Sequence, residues 1–223
     1  MTISNKHLNI LSEAISSYSF PFAYYDFIND RPSFQQTMIL VEKLIRDDLV
    51  SGDLELVKNG LSNVLYWGFA QVGYRDQRVS IFRNQVSKGQ LYDAAKLFPN
   101  INGDGLHEIK KLRLPQFSGM SFISKVRMFL DPIQYVILDK QILEMNKTSF
   151  VTILKAISFG PNETQIRISD NNCSVYLSWC KKCVTISKIY FDSKYRAVDV
   201  ERGFFTLIQN KRANNAAEIL SLA

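Results

Sequence analysis

Apolar residues recur along most of the chain at the three- and four-residue spacing of helices that bury one face. Leu8, Leu11, Ile15 and Tyr18 form a first stripe, which Phe20-Pro21-Phe22 ends. Pro32-Ser33 then predicts the start of a second helix, with Ser33 as N-cap and Phe34, Met38, Val41, Ile45 and Leu49 on one face. Ser51-Gly52-Asp53 is a turn, and a third helix follows over 54–70, interrupted near Gly68 and Gly73. Short amphipathic helices are predicted over 77–87 and 90–98, with Lys88-Gly89 between them. The stretch from Asn100 to Gly105 (NINGDG) is a loop, and a helix pair over 106–112 and 120–130 brackets Pro115 to Gly119.

The second half is less regular. Residues 150–159 are apolar and β-branched enough for helix or strand, and Gln165-Ile166-Arg167-Ile168 alternates as one short strand would. Tyr176, Trp179, Cys183 and Ile186 return to helical spacing. Val200, Phe204 and Ile208 mark a last long helix, and 214–223 reads as a helical turn or a frayed tail. The expected fold class is all-α with at most one short strand, over a single unit of 1–223 that two helical subdomains can share. With 46% apolar residues among 223, the chain has material for a core, which excludes global disorder. No apolar run approaches the ~18 residues of a membrane span, and the start lacks a basic-then-apolar leader. Three Cys, an odd count too small for a disulfide scaffold, favour a reducing, cytoplasmic setting.

Charge adds a mild bias. The 27 Lys and Arg exceed the 21 Asp and Glu, giving +6, which leans toward a polyanionic partner without requiring one. Two His 100 positions apart, His7 and His107, exclude a His-rich metal centre.

The stretch most informative for chemistry is 112–125, LRLPQFSGMSFISK. A helix ends, a short hairpin with Pro115 and Gly119 follows, and a second helix begins near Met120 and Ser121. Amides at such a start point outward and suit a phosphate, although a plain corner between two helices has the same outline. On the second helix Lys125 lies among Phe122, Ile123, Val126, Phe129 and Leu130, with Ser121 one turn before it. A lysine so placed either snorkels to solvent or, desolvated, presents a nucleophilic amine. Asp139 follows 14 residues later, straight after an apolar run and beyond the Asp131-Pro132 turn. It reads as a partner for Lys125 and as the cap of the next helix.

These residues resemble the helix-hairpin-helix DNA glycosylases, in particular the bacterial branch with the 8-oxoguanine DNA glycosylase fold. The likeness is carried by 106–130, by Lys125 followed by Asp139 in YVILDKQI, by GLSNVLYWGFAQVGYRDQRV at 60–79, and by YRAVDVERGFF at 195–205. It spans roughly 50–210. The resemblance implies a helical fold with the base pocket between two subdomains. It further implies that Gln116, Ser118, Gly119, Met120 and Ser121 hold DNA through backbone groups, with a structural monovalent cation at the hairpin. Lys125 would attack C1′ of a flipped nucleotide with Asp139 assisting, and the strand would then be nicked by β-elimination. The family's best-known pattern puts the lysine about where Ser121 stands; Lys125 is one helical turn later. The implied activity is excision of an oxidised purine such as 8-oxoguanine. Another modified base, for example in foreign DNA, and a catalytically inactive DNA-binding module are the alternatives. The expected partner is double-stranded DNA, bound by a monomer near the nucleoid if the source is bacterial.

Other features divide between site and core. Arg75 and Arg78 are candidates for phosphate contacts, and Tyr66, Trp67 and Phe204 for lining the base pocket or filling the gap left by a flipped base. Packing in the core is the competing role for Tyr66, Trp67 and Phe204. Cys173, Cys180 and Cys183 have the C-x6-C-x2-C spacing of iron–sulfur glycosylases, but Ile189 stands at the fourth position, so no cluster is expected. No organic cofactor is expected either. Asp199 reads as the cap of the last helix.

Overall fold

The computed structural model describes residues 2–159 and 165–223. Its chain divides into two compact units, Phe20–Leu130, and Met1–Ser19 together with Asp131–Ala223. Among the described residues it holds ten α-helices and a single two-stranded antiparallel hairpin.

The unit 20–130 opens with that hairpin, β1 (Ala23–Asp26) and β2 (Arg31–Phe34), where the sequence predicts the start of a helix. Asp26 folds the turn by accepting from the amides of Ile28 and Asn29 through Oδ1. Tyr25 stands opposite Pro32, which has no N–H to give. Tyr25 turns its own backbone instead to Asn63, whose side chain accepts from the Tyr25 amide at 2.7 Å and donates to the Tyr25 carbonyl at 3.1 Å. Asn63 is fully buried, so this pairing repays a desolvated amide and fixes the hairpin to a helix. Phe34 is 73% exposed, off the stripe assigned to it, and Thr37 rather than Ser33 caps the following helix.

The helices of this unit are α2 (Met38–Val50), α3 (Leu54–Gly68), α4 (Arg75–Gln85), α5 (Lys88–Leu97), α6 (Leu106–Lys111) and α7 (Met120–Leu130). Asp53 caps α3 through the amides of Glu55 and Leu56. Lys88-Gly89, expected as a break, instead forms the first turn of α5 behind a Ser87–Gln90 capping box. Val41, Ile45 and Leu49 of α2 and Val57, Leu61, Val64 and Leu65 of α3 are fully buried, which builds the core on the predicted stripes.

The unit formed by the chain ends contains α1 (Asn5–Ser16), α8 (Asp170–Thr185), α9 (Ala197–Gln209) and α10 (Ala213–Leu222). A side chain at Gly203 would meet Ile15 and Leu11 at 2.7 and 2.8 Å, so glycine there lets α1 and α9 approach. Asp199 is the third residue of α9 rather than its cap, reaching back to the Arg196 amide. Burial opposes its ionisation, but Arg196 and Arg202 beside it outweigh that and hold its carboxyl below the ordinary value. Residues 165–168 form no strand; 153–156 is a single 3₁₀ turn, and the tail is the ordered helix α10 rather than a frayed end.

Candidate functional site

Helix, hairpin and helix lie where the sequence places them, with α6 and α7 bracketing 112–119. The hairpin is pinned from α5, whose Gln90 Nε2 donates to the carbonyls of Leu112 at 3.2 Å and Arg113 at 2.6 Å. Phe117 anchors it below, 2% exposed and 5.6 Å from the Phe82 ring. Left-handed backbone falls on Arg113 (φ 51°) and Gln116 (φ 70°), two non-glycine residues in a strained region. Met120 and Gly119 are buried, so their role toward a phosphate is confined to the main chain, while Ser118 is exposed and Ser121 partly so. The carbonyls of Leu112, Arg113, Leu114 and Gly119 already accept from Gln90, Phe117 and Ile123.

Lys125 is 6% exposed. Its Nζ donates to Ser121 Oγ at 3.1 Å and to Ser121 O at 3.4 Å, and lies 5.1 Å from the Phe122 ring centre. Its stem crosses Gly68, where a side chain would come within 3.2 Å of Lys125 Cδ and 2.7 Å of the Phe122 ring. The glycine expected to interrupt α3 is therefore what makes room for the lysine and its aromatic neighbour. A lysine is seldom buried to this degree, so its placement is costly and specific.

Asp139 belongs to the other unit. Two buried side chains of α8 hold the strand-like run before it, Tyr176 Oη donating to Val136 O and Trp179 Nε1 to Ile137 O, both at 3.0 Å. Asp139 Oδ1 accepts from the amides of Gln141 and Ile142 at 3.0 and 3.2 Å, the capping role the sequence suggests. It thus sits on a rigid platform with one oxygen committed to the backbone.

The aromatic and basic segment splits by face. Arg78 is exposed and donates to Gln116 Oε1 at 3.0 Å, bringing two predicted DNA contacts together at the hairpin. Its guanidinium lies 5.2 Å from the ring of Tyr74, which is 46% exposed. Arg75 stacks on Tyr66 at 3.9 Å and pairs with Asp76 at 2.9 Å. Lys110, Lys111 and Arg113 are exposed around the hairpin. Trp67, in contrast, is 2% exposed between Phe20 and Phe129, and Phe204 is fully buried against Trp179. Neither ring has a face left for a base, which corrects both assignments: they fill the core.

The sequence reading leaves one choice open within the aromatic and basic patch and misses one cleft. Tyr74 is the exposed aromatic in this segment, and its neighbours in sequence give no sign of which ring faces out. A cleft in the same unit, lined by Tyr25, Phe27, Tyr66 and Arg83 among others, joins residues up to 59 positions apart. The three cysteines are buried and none is in a disulfide among the described residues, and burial pushes the Cys183 thiol up. Among the described residues no group of three or more His, Cys, Asp or Glu could hold a metal, and no helix is long and apolar enough to cross a membrane. Comparisons with protein-family models, with curated proteins and with solved structures find no match.

Proposed function

We propose that the protein is a DNA base-excision glycosylase with an associated lyase step, acting on an oxidised purine. One observation carries this reading: a buried lysine beside the Phe122 ring on the second helix of a helix–hairpin–helix. Around that hairpin Arg78, Gln116, Lys110, Lys111 and Arg113 supply side chains suited to phosphates.

A base must leave the stack before a side chain can reach its sugar. The lone pair of Lys125 Nζ then forms a bond to C1′, the bond from C1′ to the base breaks, and the base departs with that electron pair and takes up the proton that the newly bonded nitrogen sheds. Positive charge gathers on the sugar as the bond breaks, and a carboxylate at Asp139 stabilises it. Ser121, bonded to Nζ, aims the amine along the helix surface. Opening of the sugar ring leaves a Schiff base between Nζ and C1′. Loss of a proton from C2′ then expels the 3′ phosphate and nicks the strand.

Base release from duplexes that each carry one modified purine, 8-oxoguanine first, tests this reading. Release and nicking by the wild type, both absent in Lys125→Ala, are expected. Salt-sensitive DNA binding with no release across a panel of lesions overturns the enzymatic reading and leaves a binding module.

A further inference from the structure

The cleft in the unit 20–130 is separate from Lys125 and from the hairpin. It has a volume of about 410 Å³, within the ~300–1,000 Å³ of small-molecule sites. Aromatic rings form one wall: Tyr25 lies 4.8 Å from Phe27 and 5.3 Å from Tyr66. Arg83 of α4 also lines the cleft, its guanidinium 4.2 Å over the Phe27 ring. Only its Nη1 is bonded among the described residues, to Asn59 Oδ1 at 2.9 Å and Ser62 Oγ at 3.1 Å. Both partners are neutral and no carboxylate lies within ion-pair distance of Arg83 among the described residues; burial lowers its basicity, against the opposing charge of Glu55. At the mouth stand two exposed carboxylates, Asp30, which accepts from the Tyr25 hydroxyl at 2.9 Å, and Asp76, whose Oδ1 pairs with Arg75 at 2.9 Å.

A half-buried guanidinium with unused N–H groups wants paired acceptors. Carboxylates at the mouth want N–H donors, and rings want a flat partner to stack on. Guanine offers all three: acceptors at O6 and N7, donors at N1 and N2, and a broad π-face. Adenine has no ring N–H on its pairing edge, and it places a donor beside N7 where Arg83 needs an acceptor. We infer that this cleft binds a guanine base, stacked on the half-buried rings of Tyr25 and Phe27, with Arg83 on its acceptor edge and the mouth carboxylates on its donor edge. The base can come from a free nucleotide or from an unstacked position in a single strand. The inference does not rest on the glycosylase reading, since no residue of that mechanism lines the cleft except Tyr66, which has no chemical role in it.

Equilibrium dialysis of the full chain against guanosine and adenosine monophosphate tests it, with a thymine oligonucleotide carrying one guanine and its all-thymine counterpart as strand probes. Guanosine monophosphate is expected to bind about tenfold more tightly than adenosine monophosphate. Phe27→Leu, which keeps the apolar bulk but removes the ring, should weaken it about tenfold. Ser80→Trp, at an exposed lining position of α4, should block the cleft without removing any partner of Arg83. A preference confined to the guanine-bearing strand assigns the base to a nucleic acid, and binding of the mononucleotide alone assigns it to a free ligand. Equal binding of both nucleotides, no binding of any probe, or guanosine binding that survives Ser80→Trp overturns the proposal.

Discussion

Lys125 and Arg127 are buried cations two residues apart on the same helix, 6% and 5% exposed. Arg127 reaches out of α7 and donates from Nε at 3.3 Å and Nη2 at 3.1 Å to the Gly103 carbonyl, tying down the loop before α6. Lys125 turns back along its own helix to Ser121, beside the Phe122 ring and in space left by Gly68. Burial alone therefore does not mark a reactive charge. Where the charge is directed separates a strut from a candidate nucleophile.

Exchanging each for methionine exposes that difference most sharply. Lys125→Met should lower base release at least about 10³-fold, since the nucleophile is gone, while costing under about 2 kcal/mol of stability. Arg127→Met should do the reverse, losing about 2–3 kcal/mol as the Gly103 carbonyl is left without its donor, with the rate per folded molecule little changed. Thermal melts beside single-turnover rates check both. A larger rate loss in Arg127→Met would erase the distinction.

Asp139→Asn keeps an oxygen that can accept from Gln141 and Ile142, so stability should stay within about 0.5 kcal/mol. The charge is lost, so base release should fall more than about tenfold. A rate within about threefold of wild type would leave Asp139 a cap alone.

Asp48 in α2 shows the same cost of a buried charge with the opposite sign. Burial pushes its carboxyl up to about 6, against the hydrogen bond from the Tyr24 hydroxyl, which favours the charged form. Its folded value is raised above the unfolded one. Its contribution is therefore fully present below the unfolded value near 3.8 and is lost as pH rises through about 6. Asp48→Asn should accordingly stabilise the fold by on the order of 1–2 kcal/mol at pH 8 and by little at pH 4, read from urea midpoints at both values. Equal effects at the two pH values would show that its charge carries no such cost.

The smallest effect belongs to the hairpin rim. Arg78→Ala should weaken duplex binding a few-fold and reduce the slope of affinity against salt by about one. An unchanged slope would remove Arg78 from the phosphate contacts.

How much of this was legible in the sequence follows from locality. The helix pair around Pro115 and Gly119 and the apolar neighbours of Lys125 are written within one helix length, and the structure has them at those positions; that Lys125 is buried rather than snorkelling is decided by packing against Gly68. Hairpin 23–34 was not legible, because Pro32-Ser33 imitates a helix start and the pairing depends on Asn63, 38 residues from Tyr25. The alternation at 165–168 predicts a strand that does not form, since a period of two without a partner strand makes no ladder. Tyr66 and Trp67 are adjacent, yet one borders the cleft and the other lies between Phe20 and Phe129. Sequence spacing locates such residues on α3, and only tertiary packing tells which ring has a free edge.

The central claim is that Lys125 is the attacking amine. Borohydride reduction of the protein with an 8-oxoguanine duplex, followed by digestion and mass spectrometry of the linked peptide, tests it directly. The mechanism predicts a sugar fragment on Lys125, lost in Lys125→Met and retained in Arg127→Met. An adduct on another amine, or base release with no adduct at all, would contradict it.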